Sequence, residues 1–124
     1  MKQLVETARG LAGEFPLARP SFTAAAVGAA LLAANGKIYS GVCVELACGI
    51  GFCAEHAAMA EMLKDRETVI DTIVASKVDG IVPPCGRCRE MMYQLDARNR
   101  NAKIILSQDR TVSLDELLPE HWKI

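Results

Sequence analysis

At 124 residues, 51% apolar, with 14 basic and 15 acidic side chains for a formal net charge of -1, the chain is sized for one domain spanning residues 1–124. Balanced charge and a 5% aromatic content exclude a dedicated nucleic-acid surface, which needs a basic excess interleaved with aromatics. The longest apolar stretch, Ala24 to Ala34, falls well short of the ~20 residues of a membrane-spanning helix, and Glu6 breaks the opening segment where a signal peptide is unbrokenly apolar, so a soluble cytoplasmic protein with no nucleic-acid or membrane partner is expected.

In chain order, Leu4, Val5, Ala8, Leu11, Ala12 and Phe15 recur at helical spacing and predict a first helix over Lys2 to Phe15. A run of Ala, Val and Leu from Phe22 leads to Asn35-Gly36, a pair favoured in two-residue hairpin turns. The alternating segment Lys37 to Glu45 follows, so the two runs read as a hairpin. A glycine-rich loop ends at Cys53, and Ala54 to Arg66 is built from strong helix formers. The β-branched segment Val69 to Ala75 reads as a buried strand, and Ile81-Val82-Pro83-Pro84 as a connection that keeps a helix from starting before Cys85. A helix over about Gly86 to Arg98, a strand Lys103 to Leu106, a turn near Asp109-Arg110 and a short capped helix Ser113 to Leu118 complete the chain. Helices alternating with strands after an opening hairpin predict a three-layer α/β domain with a mixed five-stranded sheet.

The five cysteines are an odd count with no export signal, which argues for metal or catalysis rather than a disulfide framework. Cys85 and Cys88 lie one helical turn apart, so both sulfurs can reach a single ion. Cys53 supplies a third thiol where another helix begins, and two helix N-termini then aim free amides at the thiols and lower their pKa values. Three protein ligands leave a tetrahedral zinc one open position, the mark of a catalytic site. Cys43 and Cys48 are expected to be ordinary buried residues. A thioredoxin-like reading of Cys85-Gly86-Arg87-Cys88 leaves Cys53 and Glu55 without a part.

Glu55 shares a helix face with Ala58, Met59 and Met62 and is expected to turn inward. Burial raises a carboxyl pKa and a nearby cation lowers it, a balance suited to accepting and returning a proton near neutral pH. Zinc brings a water beside it to a pKa of about 7. The competing reading has zinc merely stapling the fold, with Cys48 or His56 as a fourth ligand.

Cys53-Ala54-Glu55 followed by Pro84-Cys85-Gly86-Arg87-Cys88 resembles the cytidine deaminase family, whose tetrameric members bind zinc through three cysteines. The likeness continues through Val27-Gly28-Ala29-Ala30-Leu31, Asn35-Gly36-Lys37-Ile38-Tyr39, Gly41-Val42-Cys43-Val44-Glu45 and Glu116-Leu117-Leu118-Pro119. It implies a three-layer α/β/α cytidine-deaminase-like fold and one zinc per chain on Cys53, Cys85 and Cys88. It further implies attack of an activated water at the base C4, with Glu55 carrying protons to N3 and to departing ammonia. The implied substrate is cytidine, deoxycytidine or an analogue, as in pyrimidine salvage, and the implied assembly a homotetramer with composite active sites.

The resemblance implies substrate contacts at Cys43, Glu45, Ala54 and Trp122. The family's Asn-x-Glu ribose pair reads Cys43-Val44-Glu45 here, and Ala25 stands where an aromatic usually meets the base. The short, glycine-rich loop before Cys53 and Arg87 between the cysteines look more like blasticidin-S deaminase, so a modified cytosine nucleoside is the alternative substrate. His56, where the family often has an Arg, and Arg87 are the candidates for stabilising the zinc thiolates from outside, with Arg89 a further cation nearby. Trp122, the single Trp, is read either as a base-stacking residue in a neighbouring subunit's pocket or as an anchor of the tail to its own core.

Overall fold

The computed structural model describes residues 1–124 throughout. The first helix, α1 (Lys2–Leu11), buries Leu4 and Ala8 and stops four residues before the expected Phe15, because Ala12 is already extended. The Gly13 amide then donates to the Ala25 carbonyl at 2.7 Å, and Phe15–Pro16 becomes β1, paired antiparallel with the next strand. Proline is tolerated there because the strand is an edge.

The expected hairpin is formed by β2 (Thr23–Ala33) and β3 (Ile38–Glu45). Its turn differs from the two-residue type: the Gly36 amide donates to the Ala33 carbonyl, and only Gly36 of the Asn35-Gly36 pair takes a left-handed φ, +84°. That is a three-residue loop with glycine in the bulge position. Next come β4 (Gly51–Phe52), helix α2 (Ala54–Lys64), β5 (Ile70–Lys77) and β6 (Gly80–Val82). Helix α3 (Gly86–Leu95) is shorter than predicted, since Asp96 is extended and starts a separate 3-10 helix, Ala97–Asn101. The chain ends with β7 (Lys103–Ser107), β8 (Arg110–Ser113), helix α4 (Leu114–Leu117) and an extended tail. Ser113 caps α4, its hydroxyl accepting from the Glu116 amide, as anticipated.

One sheet of eight strands runs β4-β3-β2-β5-β7-β8, with β1 also on β2 and β6 also on β5. The count exceeds the five expected because β1, β4 and β6 are two or three residues long. Only β5 and β7 are parallel, so the sheet is mixed. Its layers are read from β2: Ala29, Leu31 and Ala33 face the larger core with α2 and α3, while Ala30 faces α1 together with Leu4, Ala8, Val74 and Ile105. Burial on both faces accounts for the apolar, small-residue composition of β2. Small size is also required: a Cβ on Gly28 would meet the Ala8 carbonyl of α1, and one on Gly41 would meet the Ala57 side chain and the Ala58 nitrogen of α2.

The 3-10 helix supplies an internal brace. Fully buried Asn99 donates to the carbonyls of Thr68 and Met92 at 2.9 and 2.8 Å and accepts from the Ile70 amide at 2.8 Å, tying α3 to the start of β5. No helix is long and apolar enough to cross a membrane.

Candidate active site

Two turns of chain bring the expected cysteines together. The β3–β4 hairpin, with Val44 opposite Phe52 and Glu45 opposite Gly51, delivers Cys53 to the N-terminus of α2. The β5–β6 hairpin, with Ala75 opposite Val82, delivers Pro83-Pro84 and then Cys85 to the N-terminus of α3. The segment expected to be a plain connection is therefore in part a strand, joined to β5 by the two-residue turn Val78-Asp79.

The Cys53 and Cys85 sulfurs are 3.5 Å apart, and those of Cys85 and Cys88 3.6 Å. Two sulfurs on a tetrahedral zinc with Zn–S near 2.3 Å would be separated by about 3.8 Å. The ligand atoms of Cys53, Cys88 and His56 also lie within 4.8 Å of one another, making His56 a fourth group at the cluster. Its Nδ1 accepts the Cys53 amide at 3.4 Å, so this nitrogen is engaged in closing the first turn of α2. Cys48, expected to be buried, is instead exposed in the loop before β4 and is not in the cluster.

Burial raises the Cys53 thiol above its ordinary value and Cys85 adds to the effect. Burial pushes the Cys88 thiol up further, reinforced by the negative charge of Glu55 and by the other two thiols. Burial acts the same way on Cys85, but hydrogen bonds from the Cys88 backbone and from the Cys53 and Cys88 thiols outweigh it and bring this thiol below the ordinary value. Three thiols this close resist joint deprotonation, and a divalent cation removes that obstacle. The donor set therefore fits zinc.

Glu55 is 5% exposed and lies on the face of α2 that also buries Ala58, Met59 and Met62, as expected. Burial raises its carboxyl pKa, against opposing contacts from its own amide and the Cys88 thiol. Burial lowers the His56 pKa and the Arg87 charge lowers it further, against an opposing contact with the Arg87 backbone. Both shifts favour the neutral forms.

A cleft of about 540 Å³ opens over this cluster. Cys43, Glu45, Ala54, Glu55 and Arg87 line it with Cys53 and Cys85, while Val27, Leu46, Ile50, Phe52, Val82 and Pro83 form apolar walls that sequence reasoning did not single out. A signal for them existed in the apolar residues flanking each cysteine motif. Cys43 is buried and its sulfur accepts the Val27 amide at 3.2 Å.

Three expected placements, those of Ala25, Arg89 and Cys48, are corrected, and of the two readings of Trp122 the anchor to its own core falls away. Ala25 does not line the cleft; it is 3% exposed, in a bulge of β2, with φ +68°. Such a left-handed conformation costs a non-glycine residue roughly 1–2 kcal/mol. Trp122 reaches neither the cleft nor the core of its own chain, being 70% exposed. Glu90 takes its backbone amide at 2.9 Å, and the neighbouring His121 stacks on Tyr93 with ring centroids 4.0 Å apart. Arg89 turns to the carbonyls of Pro84 and Leu117, at 2.9 and 3.1 Å, rather than to the thiols.

Residues 2–103 match the family model of the cytidine and deoxycytidylate deaminase zinc-binding region. A cytidine deaminase of Halalkalibacterium halodurans is 32% identical over 97 residues, 75% of this chain and 74% of the relative. One from Sporosarcina psychrophila is 38% identical over 70 residues, covering 55% of this chain and 52% of the relative. Among solved structures, cytidine deaminase from Mycobacterium tuberculosis superposes with a TM-score of 0.81 at 26% identity, over 99% of this chain and 97% of that one. The Burkholderia pseudomallei cytidine deaminase gives 0.77 at 28% identity, over 98% of each chain.

Proposed function

This chain belongs to the cytidine and deoxycytidylate deaminase family, and we propose that it hydrolyses a cytosine nucleoside to the uracil nucleoside and ammonia, with one zinc on Cys53, Cys85 and Cys88 and with Glu55 as proton carrier. The observation that carries this reading is the meeting of three thiols from two helix N-termini with a buried carboxyl at the floor of one cleft. Zinc, when bound there, supplies the Lewis acidity that makes a water reactive at neutral pH.

Glu55 takes the proton given up by the attacking water and passes it to N3 of the base, then carries the proton of the new C4 hydroxyl to the amino group, so that the C4–N bond breaks with release of ammonia and the C4 carbonyl forms. Its raised pKa suits a group that must both accept and return a proton. The Glu45 carboxylate at the cleft mouth accepts a sugar hydroxyl, and Ala54 packs against the substrate from the start of α2. Arg87, beside His56, offsets the negative charge of the thiolates from outside the ligand set. The exposure of Trp122 supports a role against another copy of the chain, in a cytoplasmic homotetramer of single-domain subunits. His56, close to Cys53 and Cys88, supports a second ligand set in which it joins the cysteines.

Zinc-loaded protein should release ammonia from cytidine or deoxycytidine, followed by ultraviolet absorbance against deoxycytidylate and blasticidin S as competitors. Glu55→Gln should keep about one zinc per chain and lose turnover. Undiminished turnover in that variant would remove the proton carrier from the reading.

A further inference from the structure

The β2–β3 ladder breaks beside the cleft. Ala24 pairs with Val44 and Gly28 with Val42, so Ala25, Ala26 and Val27 of β2 stand opposite the single residue Cys43 of β3. A bulge of this size leaves backbone groups without ladder partners. Two contacts hold it: the Ala25 carbonyl accepts the Gly13 amide at 2.7 Å, and the Cys43 sulfur accepts the Val27 amide at 3.2 Å. Ala25, between them, is buried with φ +68°, a conformation that persists in an L-residue only when its surroundings impose it. Val27 and Cys43 both line the cleft, and Cys43 lies two residues along β3 from Glu45.

We propose that Cys43 is a positioning residue for the substrate: its sulfur holds the Val27 amide, and through it the β2 bulge that forms one wall of the cleft. Cys43 thus sets how well the cleft fits its ligand without touching the reacting atoms. The thiol is a weak acceptor already engaged with Val27 and a weak donor, so it has little to offer a sugar hydroxyl. The kinetic consequence rests on the deaminase reading above; the structural one does not.

The test compares Cys43→Ala with Cys43→Ser in zinc-loaded protein, by NMR-detected hydrogen exchange of the Val27 amide and by steady-state kinetics on cytidine. The hydroxyl of Ser can still accept from Val27, whereas Ala leaves that amide unpaired. Loss of one weak hydrogen bond predicts Val27 exchange about fivefold faster in Cys43→Ala. The same loss predicts a KM raised about fivefold with kcat within about twofold, because the altered contact is uniform between ground and transition state. Cys43→Ser should restore both quantities toward the wild-type values, and both variants should keep their zinc.

Unchanged Val27 exchange in Cys43→Ala would overturn the proposal, as would a fall in kcat at constant KM. A KM in Cys43→Ser as poor as in Cys43→Ala, with Val27 still protected, would also overturn it and make the thiol a direct substrate contact. If the wild-type protein turns over neither cytidine nor deoxycytidine nor blasticidin S, the deaminase reading fails, and Val27 exchange alone decides the part played by Cys43.

Discussion

The Cys53 and Cys85 sulfurs lie 3.5 Å apart although 32 residues separate them in the chain. Each caps a different helix, so their approach fixes α2 against α3 at the floor of the cleft. Replacing Cys85 with Ala should leave less than about a fifth of a zinc per chain and lower the melting temperature by several degrees, because metal affinity at such a site is also folding free energy. Atomic absorption and thermal unfolding, with and without chelator, would check it. A variant that kept its full metal content would remove Cys85 from the ligand set.

His56 distinguishes a ligand from a brace. If its chief part is to accept the Cys53 amide, His56→Ala should cost about 1 kcal/mol, in the range of a lost helix cap, while zinc stays near one per chain. Loss of half or more of the metal in this variant would show that the imidazole binds the ion.

Gly41 governs how closely α2 can lie on β3. A Cβ there would meet the Ala57 side chain and come within 2.8 Å of the Ala58 backbone nitrogen, groups that yield only if the helix moves. Gly41→Ala should therefore destabilise the protein by about 1–3 kcal/mol. Since α2 carries Glu55, kcat should fall as well; wild-type stability together with wild-type kcat would contradict the close approach.

Asp96 introduces a pH dependence remote from the cleft. Hydrogen bonds from Arg98, at 2.8 and 3.0 Å, and from Thr68, at 2.7 Å, hold its carboxyl well below the usual carboxylate range. A folded pKa below the unfolded value of about 3.9 stabilises the fold at pH above that value, and the stabilisation is lost as pH falls toward the folded pKa. Asp96→Asn should thus melt below the wild type at pH 7, with the gap narrowing below about pH 4. A gap constant from pH 7 to pH 3 would mean that the charge contributes nothing.

The thiol cluster and Glu55 were legible because their evidence is local. A cysteine at each helix start, one turn of spacing between Cys85 and Cys88, and an apolar face through Ala58, Met59 and Met62 can be read without knowing the fold. The short strands were not legible for the opposite reason. Gly51–Phe52 and Gly80–Val82 are too brief to show a period, and their pairing depends on partners supplied by the sheet. Asn99 lies in a segment, Ala97–Asn101, whose composition suggests a solvated surface, yet it is fully buried because three backbone groups need its amide. Ala25 was misread in another way: a bulge takes Ala25, Ala26 and Val27 out of the ladder, so that Val27 lines the cleft while Ala25 is buried away from it.

The exposed indole at the end of the chain has an optical consequence. With one Trp in the sequence, and that one 70% exposed, intrinsic fluorescence comes from a single surface site held beside α3 through Glu90. Emission from the isolated chain should be red-shifted and readily quenched by iodide. Any surface that closes over the tail would shift the emission to the blue and shield it, so a dilution series read by fluorescence alone would report when the tail is covered and at what protein concentration it is released.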